Sequence, residues 1–83
     1  MFSYNEDRPQ GRCNLAGLQV RRLRRAARLS QEELAAKVQL AGLDLTQKAV
    51  SRIETGDRVV ADYELLYLAQ ALQVSLQDLL PMP

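Results

Sequence analysis

Two groups of residues in this chain could do chemistry by virtue of their types and spacing. The first is Gln47, Lys48, Ser51, Arg52 and Thr55. Their separations of i, i+1, i+4, i+5 and i+8 put them on one face of a helix opened by Thr46. That face is polar and rich in hydrogen-bonding groups, and it carries no acid. The second group is Arg8, Arg12, Arg21, Arg22, Arg24, Arg25 and Arg28, in a stretch from 8 to 28 that contains no carboxylate. All eleven basic residues lie at or before Arg58, and only Asp62, Glu64 and Asp78 among charged residues follow it. The net charge of +1 conceals this asymmetry. It suggests one surface for a polyanion and another, at the C-terminal end, for something else. A solvated basic helix accounts for the arginine run equally well on composition alone.

Enzymatic chemistry finds no support. There is no histidine, and the lone Cys13 has no base partner in the sequence around it. Neither a P-loop nor a glycine-rich nucleotide fingerprint is present. One cysteine and no histidine exclude an internal disulfide and a Cys/His zinc site. No cofactor, metal or small-molecule ligand is expected. No apolar run is long enough to span a bilayer and the N-terminus lacks a signal-peptide core, so a soluble, cytoplasmic protein is expected. The arginine-rich "RRLRRAAR" is too poor in aromatics for a membrane-surface helix.

The elements that must position these residues are helices. The chain has 83 residues, 47% of them hydrophobic, which suits one small domain with an efficient core. Residues 1–13 are polar and without periodicity, and are expected to form a flexible arm; residues 14–83 form the domain. A first helix is expected from the N-cap Asn14 to about Arg28, with Leu15, Leu18, Val20, Leu23, Ala26 and Ala27 inward. Ser30-Gln31-Glu32-Glu33 is a capping box opening a second helix, with Leu34, Ala35, Val38 and Ala41 inward. Thr46 caps the third, Ala49, Val50 and Ile53 form its inner stripe, and Gly56 stops it. A fourth covers about Asp62 to Leu72, with Leu65, Leu68, Ala69 and Leu72 inward. A short fifth runs from the box at Ser75 to Pro81. The fold expected is all-α, a compact five-helix bundle with no strand.

The segments "LSQEELAAKV", "TQKAVSRIETGDR" and "ELLYLAQALQVSLQDLL", in this order, resemble the phage repressor and Cro-type helix-turn-helix family, from about Asn14 to Leu80. The resemblance implies that the second helix crosses the DNA backbone and the third lies in the major groove. It implies base contacts from Gln47, Lys48, Ser51 and Arg52, and phosphate contacts from Gln31, Thr46, Thr55 and Arg58. Glutamine can pair with adenine N6 and N7, and lysine or arginine with guanine O6 and N7. It also implies a structural ion pair between Arg24 and Glu54. Arg28 stands where many members have glycine or asparagine, so a left-handed helix end there would be strained. Ala61 stands where many carry a capping serine or threonine, so Asp62 is expected to cap the fourth helix one residue late.

Residues 39 to 45 are longer than the usual helix-turn-helix joint of about 3–4 residues. The stripe of Leu34, Val38 and Ala41 suggests that the second helix is lengthened by about a turn. Gly42 then caps it, with Leu43-Asp44-Leu45 making the turn and one or both leucines tucked inward.

Proteins of this family usually act as two-fold dimers on palindromic operators. Tyr63, Leu66, Tyr67 and Gln70, together with Leu76, Leu80 and Met82, are the candidate dimer contacts; they would serve equally to complete the core. The leading expectation is a small sequence-specific DNA-binding transcription regulator, a repressor by class. The alternatives are a protein-interaction module of the same fold, or the antitoxin or controller protein of a toxin–antitoxin or restriction–modification system.

Overall fold

The computed structural model describes residues 11–80. Most of the expected arm, residues 1–10, lies outside them, as do Pro81 to Pro83 and with them the dimer candidate Met82. Five helices follow in order: α1 (Gly17–Ala26), α2 (Gln31–Leu40), α3 (Gln47–Thr55), α4 (Asp62–Leu72) and α5 (Leu76–Leu79). No strand occurs among the described residues.

Local side-chain chemistry sets most helix starts. Ser30 Oγ accepts from the Glu33 N–H at 3.0 Å while Glu33 Oε1 accepts from the Ser30 N–H at 2.8 Å, a complete capping box. Thr46 Oγ1 accepts from the Ala49 N–H at 3.1 Å. Ser75 and Asp78 repeat the reciprocal box before α5. At α4 the expected late cap by Asp62 is not adopted. Ala61 is the N-cap and offers no acceptor, so Glu64 supplies half a box, its carboxylate accepting the Ala61 N–H at 2.9 Å.

Four helices end the same way. The first or second residue after the helix takes a positive φ, and two backbone bonds close the turn as a Schellman motif. In α1, Leu29 N–H reaches Arg24 O and Arg28 N–H reaches Arg25 O. The same pair of bonds recurs at Gly42, Gly56 and Gln73. Glycine meets the positive φ at 42 and 56 without steric cost. Arg28 (φ 60°) and Gln73 (φ 59°) meet it as strained non-glycine residues. The sequence indicated the first of these and missed the second.

The core is formed by Val20, Leu34, Val38, Leu45, Val50, Ile53, Leu68 and Leu79, all essentially inaccessible. α2 and α3 pack on each other, α1 lies behind α3, and α4 covers α1 and α2 with α5 folded against it. Leu45 is fully buried and Leu43 half-buried, so both turn leucines are tucked inward. α2 does run on to Leu40, with Ala41 as its C-cap, and Gln39 Nε2 braces the turn by donating to Leu45 O at 2.8 Å. Ala41 itself is exposed, contrary to expectation.

α1 departs most from the sequence reading. It starts at Gly17, not beside Asn14, although Asn14 Oδ1 accepts the Gly17 N–H at 2.7 Å. Its buried face is Ala16, Gly17, Val20 and Arg24; Leu15 and Leu18 are half exposed, and Ala26 and Ala27 face solvent. The reason is steric. Gly17 sits where α1 meets the end of α3, and a Cβ there would collide with the Ile53 carbonyl oxygen. The helix is rotated to put its smallest residue at that crossing, which turns the two leucines outward.

Residues 12 and 13, which the sequence places in the arm, are bonded to the domain. Cys13 N–H bonds Gly56 O at 2.8 Å, and Arg12 Nη2 donates to Glu54 O at 2.5 Å. Asn14 Nδ2 donates to Ile53 O (3.1 Å) and Arg58 O (2.8 Å). Residues 12–14 therefore strap the C-terminus of α3, where carbonyls lack helical partners and the dipole favours a cation.

Candidate nucleic-acid interface

α3 presents Gln47, Lys48, Arg52 and Thr55 to solvent, with Thr46 exposed at its start and Ser51 half-buried. The opposite side of the same helix carries Val50, Ile53 and Glu54 into the core. The exposed strip is thus rigidly mounted, because its helix is buried along one side and closed at both ends.

Behind the strip lies a continuous hydrogen-bonded chain. Arg24 Nε donates to Glu54 Oε2 at 2.6 Å and Arg24 Nη2 to Glu54 Oε1 at 3.0 Å, so the pair is bidentate. The side chains are only 10% and 2% exposed. Arg24 Nη1 also donates to Leu29 O at 2.7 Å, tying the same guanidinium to the end of α1. The hydrogen bond to Glu54 holds the Arg24 guanidinium above its ordinary range, against the opposing effect of burial. On the other side of the carboxylate, Gln31 Nε2 donates to Glu54 Oε1 at 3.0 Å. Gln47 Nε2 then donates to Gln31 Oε1 at 2.7 Å. Arg24 of α1, Glu54 and Gln47 of α3, and Gln31 of α2 are thereby one unit.

The rest of the strip is less connected. Arg52 Nη2 makes a 3.3 Å contact with Asp57 O. The Thr55 hydroxyl lies 3.0 Å from Asp57 Oδ2 and 3.2 Å from Arg52 O. Asp57 borders the C-terminal end of the strip and competes for the Thr55 hydroxyl; nothing in the sequence pattern pointed to it. Arg58, expected to contact phosphate, is paired within the chain. Its Nη1 and Nη2 donate to the two Glu64 oxygens at 3.0 Å each, and Nη1 also reaches Val59 O at 3.1 Å. The Glu64 side chain is 9% exposed, and without Arg58 it would be a buried carboxylate lacking a countercharge. Hydrogen bonding to Arg58 holds the Glu64 carboxyl below the usual carboxylate range, with the Ala61 N–H adding to it and burial opposing it.

Of the candidate dimer residues, Tyr63, Leu66 and Leu76 are exposed, as is Gln70. Tyr67 is half-buried against the core, and Leu80 is half-buried in a groove with Cys13, Leu15, Val60 and Leu65. The candidates therefore divide between an open face of α4 and a surface the domain partly uses itself. No helix among the described residues is long and apolar enough to cross a membrane. No group of three or more His, Cys, Asp or Glu residues among them is placed to hold a metal ion.

A strip of hydrogen-bonding side chains on the second helix of a two-helix corner, backed by a buried core, is the arrangement of a helix-turn-helix. The helix-turn-helix domain family matches residues 15–81, and the chain belongs to it, as a DNA-binding regulator by class. Among solved structures it is similar to the restriction-modification controller protein C.AhdI from Aeromonas hydrophila. The two are 36% identical, the match covers 76% of this chain and 84% of that one, and the TM-score is 0.68. A comparison with curated proteins gives no significant match.

Proposed function

We propose that this chain is a sequence-specific double-stranded DNA-binding transcription regulator, non-enzymatic, that acts in the cytoplasm on the nucleoid as a homodimer on a palindromic operator. The observation that carries the reading is the exposed face of α3, free of acids from Thr46 to Thr55 on its outer side and held by the Arg24–Glu54–Gln31–Gln47 chain.

α3 enters the major groove, which admits one helix. Gln47, Lys48, Ser51 and Arg52 reach base edges. Gln31, Thr46 and Thr55 meet phosphate oxygens, which position the domain without reading sequence. The backbone N–H groups that open α2 add a site for phosphate. Arg58 has a smaller part than its charge suggests, because Glu64 occupies two of its donors. The likeness to a restriction–modification controller favours that kind of regulator over an antitoxin or a protein-interaction module.

One helix of nine residues reads few base pairs, so two copies on half-sites about 34 Å apart would supply the specificity. Tyr63, Leu66 and Leu76 are the exposed apolar groups available for that contact. Selection of bound duplexes from a random pool, followed by a salt series on the winner, tests the reading. A palindromic motif and a steep fall in affinity with salt are expected, since phosphate contacts release counterions. Binding to no duplex at low salt would leave the interaction module in its place.

A further inference from the structure

The hydrogen-bond chain behind α3 has a direction, and that direction has a consequence for which base Gln47 accepts. An ionised carboxylate is acceptor-only, whereas a primary amide can present either its oxygen or its NH2 to a neighbour. Glu54 sits at the buried end of the chain, bonded by Arg24 on one side and by Gln31 Nε2 on the other. Because Glu54 can only accept, Gln31 must turn its NH2 inward. Its Oε1 is then the group left for Gln47, and Gln47 must turn its NH2 toward Gln31, as the 2.7 Å contact shows. What remains on Gln47 is one N–H on the α2 side and Oε1 on the far side, in a fixed order.

We infer that Glu54 is a specificity-positioning residue: through Gln31 it fixes which end of the Gln47 amide is donor and which is acceptor. The inference rests on the reading of α3 as the base-contacting helix. With the order fixed, Gln47 matches a base edge that offers an acceptor on the α2 side and a donor beyond it, as adenine N7 and N6 do in one orientation. The same adenine edge in the reversed order, or a guanine edge with two acceptors, meets the Gln47 oxygen with no donor. If the amide could turn over freely, Gln47 would serve either order and discriminate less. Gln31 is the relay and Glu54 the anchor; neither needs to touch the base.

The test compares base preference in four proteins: wild type, Gln31→Met, Arg24→Met/Glu54→Gln, and the combination of all three changes. The paired change replaces both buried charges together, leaving neither unpaired, so the fold is retained while position 54 gains an amide that can donate or accept. A parallel Gln47→Ala selection identifies the base pair that Gln47 reads. At that pair, discrimination should fall about tenfold in Gln31→Met and in the paired variant, within the range one bidentate contact supplies. The triple variant should be no worse there than Gln31→Met, because a broken relay makes the anchor irrelevant. Preferences at the other pairs should be unchanged.

Side-chain amide NMR of the DNA-free protein gives a second readout. Gln47 should show one hydrogen-bonded N–H in the wild type, lose it in Gln31→Met and keep it only in part in the paired variant. A folded paired variant with wild-type preference at that pair would overturn the inference. So would a further loss on adding the paired change to Gln31→Met, or an equal loss at every pair. A wild type without preference at any pair would instead remove the DNA-reading function on which the inference stands.

Discussion

Replacing Arg24 by alanine should cost far more stability than replacing either of its neighbours Arg21 or Arg25, although all three are arginines on one ten-residue helix. Arg21 and Arg25 are exposed, and surface changes of this kind usually fall within about 0.5 kcal/mol. Arg24 is 8% exposed. Its loss removes both guanidinium bonds from a carboxylate that is 2% exposed and leaves the Gln31 N–H as its only side-chain donor. It also strips the Leu29 carbonyl of the Arg24 Nη1 donor at the Schellman turn. Breaking one side of a buried pair costs about 3–5 kcal/mol.

A chain of this length has roughly 4–12 kcal/mol of total stability, so the variant gives up a large fraction of it. At about 4–8 °C per kcal/mol for a domain of this size, the melting temperature should fall by well over 10 °C. Urea unfolding of the three single variants measures this directly, with the slopes checked for equality before the midpoints are compared. The double change Arg24→Met/Glu54→Leu should be milder than Arg24→Ala, because no charge is left alone. Equal midpoints for Arg24→Ala, Arg21→Ala and Arg25→Ala would refute the reasoning, as would a double variant less stable than Arg24→Ala.

Gly17→Ala, which would stabilise an ordinary helix interior by about 1 kcal/mol, should instead lower the melting temperature, because the added Cβ meets the Ile53 carbonyl and the Arg12 and Asn14 side chains. Gln73→Gly should raise it: a left-handed L-residue costs about 1–2 kcal/mol, and the extra chain entropy of glycine offsets only part of that. Arg58→Ala should act mainly on stability by orphaning Glu64 and barely alter the salt dependence of DNA binding, whereas Arg52→Ala should relax preference at one base pair by about 1–3 kcal/mol with little change in melting temperature. The Glu64 carboxyl is held below its ordinary value of 4.5. Its contribution is therefore complete above that pH and is lost as the pH falls through the lower folded value. A melting-temperature profile from pH 7 downward should show this acid limb, and Glu64→Gln should flatten it.

Local chemistry determined where the helices begin and end, and that much is legible in the sequence. The boxes at Ser30 and Ser75, the cap at Thr46 and the stops at Gly42 and Gly56 each depend on groups within about five residues of one another. The extent of α2 and its tucked leucines were legible from short-range spacing, although Ala41, one of the expected inward positions, is exposed. The Arg24–Glu54 pair was legible only through family resemblance, since the partners lie 30 residues apart.

Tertiary structure alone decided what the short-range pattern leaves open. A run with leucines at 15, 18 and 23 and alanines between can bury more than one face of α1. The choice fell to Gly17, because α3 approaches too closely for a side chain there. A basic residue after a helix stop can reach phosphate or a carboxylate, and Arg58 meets Glu64 because α4 brings it there. The binding of Arg12 and Asn14 to the end of α3 spans 39 to 44 residues of chain, beyond any local signal. The hydrogen-bond order from Glu54 to Gln47, whose links span 23 and 16 residues, is equally beyond local signals and exists only when α2 and α3 are folded against each other.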